Sequence, residues 1–82
     1  MKVLLVDDSS IMRMMVKNIL TQIAPVEIAE AENGKAALES LVQNPVDVVL
    51  MDVHMPEMGG MQLLKTMKEL PALKDIPVIV VS

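Results

Sequence analysis

Val3-Leu4-Leu5-Val6-Asp7-Asp8 and Val48-Val49-Leu50-Met51-Asp52 are two short apolar runs that each stop at acid. Continuous runs of this length, rich in β-branched residues and lacking polar alternation, read as strands covered on both faces, which is the habit of parallel sheets. If the two runs are neighbouring parallel strands, Asp7, Asp8 and Asp52 converge at one edge of a sheet.

Working outward, apolar runs alternate with helix-like segments. Residues 9–23 read as a helix with Ile11, Met12, Met15, Val16, Ile19, Leu20 and Ile23 on its apolar face, Asp8 or Ser9 as N-cap and Pro25 at the exit. Residues 26–31 read as a second strand, more alternating and so nearer a sheet edge. Asn33-Gly34 is a turn or a cap. It precedes a helix at about 35–43 with Ala37, Leu38, Leu41 and Val42 on one side, ended by Asn44-Pro45. Residues 47–51 form the third strand, and residues 52–59 a loop containing Pro56. A third helix over 61–70 turns Leu63, Leu64, Met67 and Leu70 inward. After a connector at 71–76 comes the fourth strand, 77–81, and then Ser82. The order βαβαβαβ predicts an α/β fold with a parallel sheet and right-handed crossovers. No repeat, linker or low-complexity segment interrupts it.

At 82 residues the chain is one domain or part of one. It has no Phe, Tyr or Trp, so its core is aliphatic, with nine Met as adaptable filler. A net charge of -4 and the lack of a Lys/Arg cluster argue against direct nucleic-acid binding. There is no Cys, so thiolate and disulfide chemistry are excluded. No apolar run approaches the ~20 residues of a membrane span, and the apolar part of the start is too short for a signal peptide. No membrane association and a cytoplasmic location are expected.

Three converging carboxylates repel one another. A hard cation with oxygen ligands, such as Mg²⁺, is the simplest way to keep them ionised. Acids after strands are also ordinary loop and cap residues. A pair plus a single acid after two apolar strands, at the sheet edge where α/β proteins bind ligands, favours a site.

Leu5-Val6-Asp7-Asp8-Ser9, Met51-Asp52-Val53-His54-Met55-Pro56-Glu57-Met58-Gly59-Gly60 and Ile76-Pro77-Val78-Ile79-Val80-Val81-Ser82 together resemble the response regulator receiver domain of two-component signalling. The resemblance runs the length of the chain in order and register. It implies a flavodoxin-like doubly wound parallel sheet with strand order 2-1-3-4, and a phosphorelay module that accepts a phosphoryl group on Asp52. A carboxylate suits that task, because an ionised oxygen nucleophile gives a labile acyl phosphate. The resemblance further implies Mg²⁺ held by Asp7, Asp8, Asp52 and the backbone carbonyl of His54. Ser82 would be the switch hydroxyl that bonds the new phosphoryl oxygen, and the partner a histidine kinase or phosphotransfer protein. The chain would be a phosphoacceptor rather than an enzyme, with at most weak self-phosphorylation and dephosphorylation.

The remaining candidates have blander readings. The imidazole of His54 is a loop side chain before it is a metal ligand, and Pro56 and Gly60 shape the turn. Met12, Met15, Met61 and Met67 fit helix core faces, whereas Met14, Met55 and Met58 suit a partner surface. Arg13, Lys17 and Lys35 read as solvated charges.

The resemblance places residues 1–82 on the N-terminal two-thirds of a single receiver domain. The family's fourth helix, fifth strand and fifth helix, with the Lys that pairs with the phosphoryl group, have no counterpart here. Strand four is then expected to be an open edge with apolar surface bared beside the first helix. Self-association through that edge or by element exchange is expected, with weak Mg²⁺ binding and slow or absent phosphorylation of Asp52. A half-domain that folds by association and signals nothing is the alternative. A nucleotide-binding enzyme is disfavoured by Asp-Asp-Ser-Ser where a Gly-rich loop would stand. An Mg²⁺ phosphatase lacks a further acid or base.

Overall fold

The computed structural model describes residues 1–52 and 59–81. His54, Pro56, Met55, Met58 and Ser82 lie outside the described residues. The elements run β1 (Lys2–Val6), α1 (Ser10–Ile23), β2 (Glu27–Ala31), α2 (Gly34–Gln43), β3 (Val48–Met51), α3 (Gly60–Glu69) and β4 (Val78–Val80). All strand pairs are parallel and the order is β2-β1-β3-β4. The chain therefore steps from β1 outward to β2 and back across β1 to β3, which makes β1 and β3 the interior strands. Those are the two strands with unbroken apolar runs.

Helices α1 and α2 start where a polar side chain replaces a missing backbone acceptor. The Ser9 hydroxyl accepts from the Met12 N–H at 3.2 Å, and the Asn33 carbonyl oxygen accepts from the Ala36 N–H at 2.8 Å. Gly59 opens α3 without a side-chain cap. At the other edge of the sheet, Asp47 holds β1 to β3 at two points. Its carboxylate accepts from the Lys2 N–H at 2.7 Å, and its own N–H donates to the Lys2 carbonyl at 2.9 Å.

Alternation along the strands divides the side chains between two faces. On one face Leu4, Val6, Val49 and Met51 pack with Ala37 and Leu41 of α2, Leu63 and Met67 of α3, and Leu73 of the following turn. These side chains are buried, and each large one contributes about 1.5–3 kcal/mol by leaving water. Leu4→Ala would cost about 2–5 kcal/mol by opening a cavity between both helices. Leu73, in a segment read from sequence as a plain connector, is a core residue at 2% exposure.

The other face carries α1. Glu30 pairs in register with Leu5 and bonds to Arg13 and Lys17 of α1, which fixes α1 on the Leu5 side. Here the expected packing is only half realised. No residue of α1 is buried; Val16 and Leu20 are half-buried, while Ile11, Met12, Met15, Ile19 and Ile23 stay exposed. Arg13 and Lys17 lean toward β2, so the opposite flank of the helix looks over β3 and β4. Along the register row Leu5, Leu50, Ile79, exposure climbs from 1% under α1, through half-buried, to 51% at β4. Met61 and Val42, also expected inside, are exposed because each sits on the outer flank of its helix. Met14 is exposed, as a surface residue should be.

Candidate functional site

The carboxylates stand where the strands run out. Asp7 follows β1, and its N–H still belongs to the sheet, donating to the Ala31 carbonyl at 3.1 Å. Asp52 follows β3, and its N–H donates to the Val6 carbonyl at 2.9 Å. The two ladders thus carry Asp7 and Asp52 side by side past the last strand residues. Asp8 is the bend after Asp7. One carboxylate oxygen from each of Asp7, Asp8 and Asp52 lies within 4.8 Å of the others.

Burial is graded. Asp7 is 5% exposed, Asp52 9%, and Asp8 is open to solvent. Asp7 is pinned at three atoms. Besides its N–H, its Oδ1 accepts from the Ser9 N–H at 2.9 Å, and its carbonyl accepts from the Arg13 Nη1. One oxygen of Asp7 is therefore occupied within the turn. Next to Asp52, the Val81 N–H donates to the Met51 carbonyl at 2.9 Å, so the backbone immediately before Ser82 runs beside the backbone immediately before Asp52.

All three acids proposed from sequence come together. His54 and Ser82 lie outside the described residues. Sequence reading missed Arg13, which it left as a solvated charge. Its side chain is 16% exposed and bridges Glu30 of β2 at 3.1 Å and the Asp7 carbonyl. The available signal was spacing, since an Arg one turn into a helix whose cap follows two acids can reach back to them.

The donor set suits a small hard cation. Oxygen atoms alone, three anionic side chains, two held by the sheet and one open to water, match the preference of Mg²⁺ for carboxylates supplemented by solvent. An open cleft of about 360 Å³ lined by Lys2, Glu27, Ser40 and Asn44 lies at the opposite edge of the sheet and plays no part in this cluster.

A four-stranded parallel sheet of order 2-1-3-4, with acids clustered past the carboxyl ends of its inner strands, defines a flavodoxin-like α/β protein with a cation-competent edge. The comparisons narrow this to one family. The family model for the response regulator receiver domain matches residues 3–82, and the chain belongs to that family. It is 42% identical over 83 residues to a chemotaxis protein CheY homolog of Campylobacter jejuni, covering all of this chain and 64% of that protein. Identity to chemotaxis protein CheY of Bacillus subtilis is 45% over 71 residues, covering 87% of this chain and 59% of the relative. Among solved structures, the signal receiver domain of a signal transduction histidine kinase from Syntrophus aciditrophicus superposes with a TM-score of 0.93 at 33% identity, covering 99% of this chain and 61% of that one. CheY4 of Vibrio cholerae does so at 0.90 and 35%, covering 96% and 65%. The chain spans slightly under two-thirds of the length of these relatives. Among the described residues, no helix is long and apolar enough to cross a membrane.

Proposed function

We propose that the chain is a phosphoacceptor module of a two-component phosphorelay, taking a phosphoryl group on Asp52 from a histidine kinase or phosphotransfer protein in the cytoplasm. The convergence of Asp7, Asp8 and Asp52 within 4.8 Å carries this reading. In the transfer, a carboxylate oxygen of Asp52 forms a bond to phosphorus. The bond from phosphorus to the donor nitrogen, or to the oxygen of a small acyl phosphate, breaks, and the donor leaves with the electron pair. Asp52 is presented for this by the strand ladder that holds its N–H. Mg²⁺, bound by Asp7, Asp8 and Asp52 with the His54 carbonyl, would supply charge neutralisation to the transferring group. Ser82 offers its hydroxyl to the new phosphoryl oxygen. The chain is an acceptor that returns to its start by hydrolysis, not a turnover catalyst.

Transfer is slow on this reading. Among the described residues, the strands carry one lysine, Lys2, at the N-terminal end of β1 and so at the far edge of the sheet from the acids. The developing phosphoryl charge then lacks one cationic partner. Incubation with acetyl phosphate and Mg²⁺, followed by intact mass measurement, tests the proposal. A single phosphoryl adduct that is absent from Asp52→Asn supports it. An adduct that persists in Asp52→Asn defeats it, as does none after prolonged incubation of the wild type.

A second reading is favoured by a separate observation. Among the described residues, the exposed flank of α1 and the exposed Ile79 of the end strand β4 bare apolar surface on one face of the sheet. On this reading the chain works as an association module, pairing with a second copy whether or not Asp52 is labelled.

A further inference from the structure

We infer that Arg13 is a positioning residue for the cation site, acting through the peptide that joins Asp7 to Asp8. The inference rests on the phosphoacceptor reading, because it assigns a task at that same site.

The geometry is specific. Arg13 stands one turn inside α1, with its N–H donating to the Ser9 carbonyl at 3.0 Å in the first turn. Its guanidinium divides its donors. Nε donates to Glu30 Oε1 at 3.1 Å, and Nη1 donates to the Asp7 carbonyl. Lys17 takes the other oxygen of Glu30 at 3.2 Å, so the Glu30 carboxylate is a fixed anvil against which the guanidinium is held. With 16% of its side chain exposed, Arg13 is the best covered polar anchor of a helix that buries no residue fully.

The atom that Arg13 holds matters more than the charge it brings. The Asp7 carbonyl oxygen lies in the same rigid plane as the Asp8 N–H and Cα. Holding that oxygen sets the orientation of the plane, and thereby the direction in which Asp8 leaves the strand. Asp7 needs no such help, since its N–H and Oδ1 are already held by Ala31 and Ser9. Asp8 is the exposed member of the trio, and among the described residues the contact nearest to orienting it is the one made to the peptide before it. Arg13 therefore supplies to Asp8 the order that the sheet supplies to Asp7 and Asp52. A lysine ammonium is a single point of charge and cannot reproduce a planar fork that spans two acceptors at fixed separation.

Charge and positioning predict opposite signs, which makes the test sharp. A cation beside an acidic cluster repels Mg²⁺. If Arg13 acted by charge alone, Arg13→Met would tighten Mg²⁺ binding and Arg13→Lys would leave it unchanged. If Arg13 positions Asp8, both variants bind more weakly, on the order of 10-fold, as when a group orienting a metal ligand is removed. The measurement is titration calorimetry with Mg²⁺ and, in parallel, Mn²⁺ binding by electron paramagnetic resonance. Glu30→Gln is the graded variant: its amide oxygen still accepts from Nε and the carbonyl contact stays, but the anvil is weakened, so the urea midpoint drops and Mg²⁺ affinity falls less than in Arg13→Lys. Weakened binding in Arg13→Lys with an intact circular dichroism spectrum is the expected result. Wild-type or tighter binding in Arg13→Lys overturns the inference. So does loss of folded structure in both Arg13 variants, which would make Arg13 a prop of the fold. A wild-type chain that binds neither ion defeats the phosphoacceptor reading itself, whatever the variants do.

Discussion

Asp8 is the residue at which stability and binding pull apart. Asp7 and Asp52 are tied to the sheet through their backbones, but Asp8 contributes to the folded protein chiefly another negative charge within 4.8 Å of two others. Without a cation that charge is repulsive, softened by its exposure to water. Asp8→Asn should therefore raise stability in metal-free buffer, by about 0.5 kcal/mol or a few degrees in melting temperature for a domain of this size. The same substitution should remove most of the gain from added Mg²⁺. Wild type at a hundred times its dissociation constant gains about 2.7 kcal/mol. Thermal melts with and without Mg²⁺ then cross over between the two proteins. Parallel shifts in both proteins would mean that Asp8 is not a ligand. This part of the site was legible in the sequence because it needs only two facts, an acid after each inner strand and a parallel sheet to set them side by side. Arg13 was harder to read, because its role comes from a contact to a backbone carbonyl that no residue type marks, and only its spacing from the two acids hinted at it.

At the scale of the element, α1 is the informative one. Its sequence carries apolar residues at helical spacing, and read alone it looks like a core helix. The strand limits follow the sequence reading to within a residue or so, and so do the faces of α2 and α3 apart from Val42 and Met61, because Leu63, Met67, Ala37 and Leu41 find both a sheet and a neighbouring helix to bury against. Among the described residues, those of α1 face a sheet without a second helix beside them, and spacing cannot reveal how many neighbours a face will have. With no buried residue, α1 depends on its cap and its ion pairs. Ser9→Ala, which removes the acceptor for the Met12 N–H, should cost about 1 kcal/mol. Amide exchange should be fastest in α1 among the three helices and slowest in β1 and β3; α1 amides protected as strongly as those of β1 would contradict this. The ion pairs add an acid limb. The hydrogen bond from Lys17 acts most strongly on the Glu30 carboxyl; against the opposing effect of burial, and helped by a weaker hydrogen bond from Arg13 and both positive charges, it holds the group below its ordinary value. The folded protein then binds fewer protons there than the unfolded chain does. The contribution is fully present above the ordinary carboxylate range and is lost as pH falls through the lowered value. Glu30→Gln should therefore flatten the difference in urea midpoint between neutral and acid pH, relative to wild type.

At the scale of the molecule, one half of one sheet face is bare. Met12, Met15, Ile19 and Ile23 form a wall along α1, and Ile79 with Val81 continues a floor beside it; each leaves between 43% and 73% of its surface to water. Contiguous exposed apolar surface of this extent on one face marks an interaction site rather than scattered surface residues. The two sheet edges differ in the same sense. β2 carries Glu27 and Glu30, whereas β4 is Val-Ile-Val and, among the described residues, the end strand of the sheet. A charged edge discourages strand pairing, so a second copy meets least resistance at β4 and the notch beside it. A two-fold pairing would bury the same patch on both copies. The expected behaviour is a dimer or small oligomer at micromolar concentration, with a melting temperature that rises with protein concentration. Ile19→Lys and Ile79→Lys place a charge on the wall and on the floor at positions already exposed, so neither disturbs the core shared by α2 and α3. In the double variant, sedimentation velocity should show a shift to monomer and the concentration dependence of melting should vanish. Acetyl phosphate labelling of Asp52 separates the two readings of the chain at this point. Labelling retained in the monomeric double variant assigns the notch to association alone, whereas labelling lost with the oligomer makes the second copy part of the phosphoacceptor. A wild-type chain that sediments as a monomer, with a concentration-independent melt, removes the second copy as occupant of the notch.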